Sequence, residues 1–394
     1  MATEIVPPNS STSAPAQKAS AVPGGKFHRY PFWAPRFWHG MTLGVWLRFA
    51  AGNGFRISPT RWPMAVGITI VSLFNSALWL LQKLVLGRRV VRSTIEHPPI
   101  FIIGHWRSGT TYLHELLVLD DRLAYPTTYE CFAPSHFLVS NWLVAKYMKF
   151  LLPSKRPMDN MAAGWRLPQE DEFALCNLGL GSPYKTMGFP NHPPQDVEYL
   201  DLKELTPAER ERWKQGMFSF LKDVAYRKPR PIVLKSPPHT ARVRTLLELF
   251  PRAKFVHIVR DPVNVFMSTV RLWRSLYQVQ GLQVDNGHNI TEYVLSTFER
   301  MYRSFEEDRP LLQENQYYEV RYEDLVAKPV EQIHAMYQQL DLGGFEHVRP
   351  QVEAFLEAKK DYQTNRFEPP EEIRAMVAER WGGFAKKYGY ANGE

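Results

Sequence analysis

The stretch PIFIIGHWRSGTTYLHELLVL, residues 99–119, decides how this chain folds. Its first five residues, 99–103, are β-branched and aromatic after the proline, the composition of a short buried strand. A glycine-bounded loop, GHWRSGTT (104–111), follows, and YLHELLVL then takes up helical spacing. In such a strand–loop–helix unit the loop N–H groups converge and the helix N-terminus adds a partial positive charge, so an anion can sit there. Gly104 and Gly109 stand five apart, as in the general GxxxxGK[ST] loop, but the lysine position holds Thr110. A triphosphatase lacking that lysine, and lacking an evident metal-binding aspartate after a later strand, would work poorly. Arg107 instead places a cation inside the loop, which suits a phosphate that arrives without magnesium. Taken alone, the same residues are also accounted for by a simple Gly-Thr turn between a strand and a helix.

Working outward, further strand-like runs occur at 231–234 (PIVL), 254–259 (KFVHIV) and 316–321 (QYYEVR), each followed by a helix-compatible segment. This alternation predicts a doubly wound α/β fold, a P-loop-like parallel sheet flanked by helices. Thr206-Pro207-Ala208-Glu209 reads as a capping box with proline at the first helical position. Val294, Phe298, Met301, Tyr302 and Phe305 form an apolar stripe and are expected in the core. A second strand–turn–helix unit is KFVHIVRDPVNVFMSTVRLW (254–273). Arg260 ends the strand, Asp261 is a natural N-cap, Pro262 opens the helix, and Ser268 comes two turns later. A guanidinium and a hydroxyl can converge there on a second phosphate. The plainer account pairs Arg260 with a carboxylate and packs Ser268 on a helix face.

Two anion sites in this order are what a 3′,5′-bisphosphorylated adenosine requires. From about Pro98 to Tyr390 the chain resembles the PAPS-dependent sulfotransferase superfamily (PAPS, 3′-phosphoadenosine 5′-phosphosulfate), in its microbial branch related to carbohydrate and tyrosyl-protein sulfotransferases. RSGTT (107–111) is similar to the family's 5′-phosphosulfate loop and RDPVNVFMS (260–268) to its 3′-phosphate motif. The resemblance implies that Arg107, Ser108, Gly109, Thr110 and Thr111 hold the 5′-phosphosulfate and that Arg260 and Ser268 hold the 3′-phosphate. It also implies that Lys235, in VLKSPPHTARV (233–243), touches the donor sulfonate, and that Arg321, Tyr322 and Asp324 brace the sheet. PAPS is then the co-substrate and no metal is called for.

Sulfuryl transfer needs in-line positioning, cations on the leaving phosphate and a base for the acceptor hydroxyl. Arg107 and Lys235 are the expected cations. Cytosolic phenol and steroid sulfotransferases carry Lys-Thr-His where this chain has Lys235-Ser236-Pro237, so the histidine seat is vacant. The carbohydrate and tyrosyl-protein branches use a glutamate after the helix that follows the loop. Glu130, in AYPTTYECFAP (124–134), is the expected base on that ground, its neighbours Tyr129, Cys131 and Phe132 desolvating it. The plainer account of Glu130 is a salt bridge to an arginine. The rival is Glu170 in PQEDEF (168–173), a run that otherwise reads as a solvated helix start. His105, His114 and His239 are read as structural.

The chain has 394 residues, a net charge of +8 and a 44% hydrophobic content, enough for a large core and against global disorder. The basic balance admits an anionic ligand or membrane surface. Nucleic acid is set aside, because neither zinc-finger spacing nor a recognition-helix pattern occurs. The two cysteines, Cys131 and Cys176, are expected as buried free thiols, which suits a reducing compartment. Sequons at Asn9 and Asn289 carry little weight. Residues 1–25 read as a disordered tail, 26–94 as a helical apolar and basic segment with potential membrane contact, and 95–394 as the catalytic domain. Met64–Gln82 contains 19 residues without a formal charge, followed by Lys83, Arg88, Arg89 and Arg92. A spanning helix, a helix lying on the bilayer and a helix covering the domain all remain open. A cytoplasmic enzyme with membrane association is the expected location. Aromatics at Phe132, Phe137, Trp142, Tyr147, Trp165, Tyr184, Phe189, Trp273 and Tyr277 would wall a pocket for a small-molecule, lipid or glycan acceptor, or simply fill the core. The competing functional readings are a P-loop nucleotide kinase and a non-catalytic, membrane-associated nucleotide-binding protein.

Overall fold

Four short strands make one parallel sheet: β1 (Ile100–Ile103), β2 (Val233–Lys235), β3 (Lys254–Val259) and β4 (Tyr317–Arg321), in the order β2-β1-β3-β4. The structure, a computed structural model, describes residues 34–147, 164–287, 290–359 and 368–390. The expected tail at 1–25 and both sequon asparagines, Asn9 and Asn289, lie outside the described residues, as does the Tyr147 side chain. Register places Phe101 beside Leu234 on one side and Phe255 on the other, and Val259 beside Arg321. β2 starts two residues later than the apolar run suggests. Pro231 has no N–H for a ladder, and its carbonyl accepts from Ala124 N at 2.8 Å, outside the sheet proper.

Alternation along the strands divides the interior into two layers. Phe101, Ile103, Leu234, Phe255 and Tyr317 face one layer, while Ile100, Ile102, Val233, Val256, Ile258 and Val320 face the other. The N-terminal third supplies α1 (Leu43–Gly52), α2 (Trp62–Arg92), α3 (Thr110–Leu117), α4 (Thr128–Phe132) and α5 (Phe137–Tyr147). α6 (Asp171–Asn177), α7 (Pro207–Arg227), α8 (Val243–Leu249), α9 (Pro262–Gln280) and α10 (Ile290–Asp308) follow, and α11 (Tyr322–Ala327), α12 (Pro329–Gln339), α13 (Phe345–Ala358) and α14 (Glu371–Lys387) end the chain. Leu113, Leu116 and Leu117 of α3 close the second layer together with Ile333, Met336, Val348 and Val352 of α12 and α13. α9, α10 and α14 close the first, and the stripe from Val294 to Phe305 is buried there as its spacing predicts.

Local signals are realised where the sequence carries them. Thr206 accepts from Glu209 N at 3.3 Å and gives its own N–H to the Glu209 carboxylate at 3.0 Å, so the capping box opens α7. Asp261 accepts from Asn264 N at 2.8 Å and opens α9 with Pro262 at its first position. Phe37, Trp38, Trp46, Phe49 and Ile68 of the N-terminal segment belong to the same buried cluster as Phe101 and Phe255. The segment therefore shares the core of the catalytic part. Of the expected wall aromatics, Phe137, Trp165, Phe189, Trp273 and Tyr277 are core residues, and Trp142 is 67% exposed.

Among the described residues, four histidines are held well below their ordinary pKa by this packing. Burial lowers His39 and His136 to about 4, and His105 and His114 to about 3. Each folded-state value lies below the ordinary 6.5, so in that window the unfolded chain binds protons that the folded chain excludes. Stability from these groups is complete above the unfolded value and falls as pH drops from about 6.5 towards 4, by about 1.4 kcal/mol per pH unit for each excluded proton. Urea unfolding midpoints at pH 7.5, 6.0 and 5.0 should therefore decline steadily; a flat profile would contradict the neutral burial of these rings.

Candidate active site

The loop between β1 and α3 is shaped by close approach. Gly104 and Gly109 have φ of +145° and +104°, and Arg107 between them has φ of +68°. A Cβ at Gly104 would lie 2.5 Å from the Ile258 carbonyl oxygen, and one at Gly109 would lie 2.3 Å from the Tyr322 ring. Surrounding hydroxyls pin the loop from outside. Gly104 N donates to Thr240 Oγ1 at 2.7 Å, and Thr269 Oγ1 donates to the Trp106 carbonyl at 3.2 Å. Ser108 gives both its N–H and its hydroxyl to the His105 carbonyl, at 3.2 and 2.8 Å, so its side chain braces the turn. Thr110 opens α3, and Gly109 offers no side-chain cap, which leaves the first-turn N–H groups directed at whatever anion occupies the loop.

The two sequence motifs meet at this loop. Arg107 Nε donates to Ser268 Oγ at 2.8 Å, and Arg260 Nη1 donates to the Arg107 carbonyl at 3.2 Å. The Arg260 guanidinium lies 4.2 Å over the Tyr322 ring, the same ring that abuts Gly109. Tyr322 thus braces the loop and the guanidinium as well as packing against the second layer of the sheet. Arg321 stacks instead on Tyr390, at 4.5 Å.

At the end of β2, Lys235 reaches across to α3 and to the loop before α6. Its Nζ donates to Glu170 Oε1 at 2.6 Å and lies 3.5 Å from Thr111 Oγ1. Glu170 Oε2 accepts from Tyr184 OH at 2.5 Å, and that hydroxyl accepts from Trp106 Nε1 at 2.9 Å. A closed circuit therefore runs from the phosphate loop at Trp106 through Tyr184, Glu170 and Lys235 back to the loop at Thr111. Burial first, and then the neighbouring Glu170 charge, push the Tyr184 phenol far up, so it remains a donor to the carboxylate. Lys235 is almost wholly buried, whereas Glu170 keeps a 12% exposed side chain.

The acidic run departs from its expected solvated setting. Asp171 lies 2.6 Å from His239 Nε2 and accepts from Ser236 Oγ at 2.8 Å. Glu172 takes both Arg242 guanidinium nitrogens, at 2.5 and 3.0 Å, and accepts from Ser182 Oγ at 2.6 Å. Burial alone would raise the Asp171 carboxyl, but His239 and Ser236 outweigh it and hold the group below the usual range. These carboxylates are buried because the 235–242 segment brings them a cation or a hydroxyl each, the condition for enclosing such groups.

Glu130 does not join this circuit. It is the third residue of α4 and completes a capping box, its Oε2 accepting from Thr127 N at 2.7 Å. Arg227 Nη1 donates to its other oxygen at 2.6 Å, and Lys228 Nζ to Oε2 at 3.1 Å. The carboxylate is enclosed by cations from the end of α7, which corresponds to the plainer account of the residue. His105 and His114 are buried, and His239 serves Asp171. The sequence singled out Tyr184 and Trp106 only as an aromatic and a loop residue; their polar roles depend on a contact 78 residues apart in the chain, which no local pattern displays.

Comparison with known proteins follows this geometry. A family model described as "Sulfotransferase family" matches residues 98–347. The omega-hydroxy-beta-dihydromenaquinone-9 sulfotransferase Stf3 of Mycobacterium bovis is 46% identical over 365 residues, covering 93% of this chain and 94% of that protein. The protein of the same name from Mycobacterium tuberculosis matches to the same extent. Among solved structures, sulfotransferase STF1 of M. tuberculosis H37Rv superposes with a TM-score of 0.59 at 19% identity, covering 86% of this chain and 91% of that one. Sulfotransferase STF9 of Mycobacterium avium superposes with a TM-score of 0.60 at 18% identity, covering 88% and 96%. These two show a common fold.

Removing the Glu130 charge strands Arg227 and Lys228, which are partly exposed. Glu130→Gln is expected to lower stability by about 2 kcal/mol in urea unfolding while leaving kcat within a few-fold of wild type. A collapse of kcat with unchanged stability would instead give Glu130 a chemical role.

Proposed function

The chain belongs to the sulfotransferase family, and we propose that it takes its sulfuryl group from PAPS and delivers it to the terminal hydroxyl of a menaquinone-derived polyprenyl lipid. The contact that carries this reading is Lys235 Nζ held 2.6 Å from Glu170 and 3.5 Å from Thr111, a cation and a carboxylate side by side at the mouth of an anion-binding loop. The loop suits a nucleotide 5′-phosphosulfate. It has the left-handed backbone at Gly109, the uncapped start of α3 and Arg107. Arg260 and Ser268, joined to the loop through Arg107, suit the 3′-phosphate. Ser108 contributes by bracing the turn.

Glu170 is proposed as the base in place of Glu130, since it alone of the two touches Lys235. In the transfer, a bond forms between the acceptor oxygen and sulfur as the bond from sulfur to the phosphate oxygen breaks. The acceptor proton passes to the Glu170 carboxylate, whose second oxygen is held by Tyr184. The leaving phosphate keeps the electron pair, and Lys235 and Arg107 face the charge that develops there. The lipid acceptor is supported by the 46% identity over 93% of the chain to a sulfotransferase named for such a substrate. It is also supported by the aromatic surroundings of Glu170: the Tyr184 ring centroid lies 4.9 Å from Phe173, which stacks on Phe37 at 3.8 Å.

Two measurements test the proposal. PAP, the desulfated donor product, should raise the melting temperature of the protein, and Arg260→Ala should abolish that shift; stabilisation by ATP/Mg²⁺ but not by PAP would overturn the donor assignment. Glu170→Gln should lower kcat with PAPS and an ω-hydroxylated menaquinone by roughly 10²–10⁴-fold while the PAP shift persists. Near-normal turnover by that variant would remove Glu170 from the chemistry.

A further inference from the structure

Helix α2 carries its polarity the wrong way round for a helix covering a domain in water. Its buried residues include Ser72, Asn75 and Gln82, while Val66, Ile70, Leu73, Phe74, Leu80, Leu81 and Leu84 point outward, Phe74 at 66% and Leu84 at 83% exposure. The inward polar groups are all engaged. Asn75 donates to the His39 and Met41 carbonyls at 2.7 and 2.9 Å and lies 3.0 Å from His136 Nε2. Gln82 accepts from Leu138 N at 2.9 Å, and Ser76 accepts from Leu43 N at 2.9 Å. The polar residues that dilute the apolar stretch are therefore the glue to the protein body, and the remaining face is almost purely apolar.

From this arrangement we propose that the outer face of α2 docks in the plane of an anionic lipid bilayer. Both ends of the helix are tied to the same body: Arg61, at its N-cap, donates to the Gln278 carbonyl at 2.9 Å, and the Val91 carbonyl accepts from Lys222 Nζ at 2.8 Å. A spanning helix must leave its ends on opposite sides of the membrane, so this helix lies along the surface with its body on one side. Trp62 and Trp79 are exposed along the apolar face, as residues that settle at the headgroup level are. Lys83, Arg88, Arg89 and Arg92 are exposed at its C-terminal half, a charge that complements anionic headgroups rather than a second copy of the same basic helix. The docking face also adjoins the site. Asn75 holds the 37–41 turn, and Phe37 of that turn stacks on Phe173, three residues past Glu170.

Flotation of the full chain with vesicles tests this without donor or acceptor, so it can fail independently of the assigned reaction. Wild type should float with vesicles containing phosphatidylglycerol and bind phosphatidylcholine vesicles more weakly. Phe74→Glu combined with Leu84→Glu should reduce binding by roughly 100-fold on both. Arg88→Gln, Arg89→Gln and Arg92→Gln together should weaken binding only on the anionic vesicles, by roughly fivefold per charge. A circular-dichroism spectrum and melting temperature like those of wild type would show that each variant is folded. The proposal is overturned if wild type fails to float. It is also overturned if the double glutamate variant floats like wild type, if the protein resists alkaline carbonate extraction as a spanning protein does, or if sedimentation shows a dimer that the glutamate variant splits.

Discussion

Residues 170–172 and 235–242 are zipped together by ion pairs and hydrogen bonds, and the arrangement around Lys235 depends on that seam. Glu170 meets Lys235, Asp171 meets Ser236 and His239, and Glu172 meets Arg242, in chain order on both sides. Glu172 N also donates to Ser236 Oγ at 2.9 Å, so the backbone joins in. Each carboxylate would be costly to bury alone, and each has a partner across the seam. The inner two pairs are sealed, while the outer one, Glu170 with Lys235, retains access to solvent. That gradient gives a rigid foundation with one solvent-accessible pair at its edge.

The same seam explains how the phosphate loop is held. Thr240, within the zipped segment, accepts from Gly104 N, and Lys235 reaches Thr111 at the other end of the loop. Trp106 is tied through Tyr184 to Glu170. The loop can therefore keep three residues at positive φ, one of them the non-glycine Arg107, because its neighbours over-determine it. On the far side Tyr322 fills the space beside Gly109 and supports Arg260, so the segments that follow β1, β3 and β4 are set by direct contact.

Helix α2 shows the same physical rule applied to a surface. Its polar residues are buried because backbone carbonyls of the 37–41 turn and His136 offer partners, and its apolar residues are left outside. Hydropathy alone reads the stretch as apolar with polar dilution. Only the direction in which each residue points separates a helix buried in the core from one with a face for lipid.

Much of the framework was legible in the chain because it rests on local chemistry. Glycine spacing at 104 and 109, the runs that became β1, β3 and β4, the capping box at Thr206, the Asp261-Pro262 helix start and the stripe from Val294 to Phe305 all act within a few residues. Arg107, Arg260 and Lys235 could be singled out because each follows or ends a strand, where a parallel sheet gathers its functional groups, and Ser268 because it lies two turns into the helix that Arg260 precedes. The two candidate carboxylates could not be separated in this way. Glu130 and Glu170 both follow α3 in the chain and both looked suitable, yet one is closed in by Arg227 and Lys228 and the other faces Lys235. A carboxylate's role depends on which cations the fold brings within about 3 Å of it. Those partners come from 65 to 98 residues away, beyond the reach of any local pattern. The sequence alone pointed to the sulfotransferase family and to a parallel sheet flanked by helices. The tertiary structure decided which carboxylate pairs with Lys235 and which face of α2 is left exposed and apolar, because both are matters of long-range pairing.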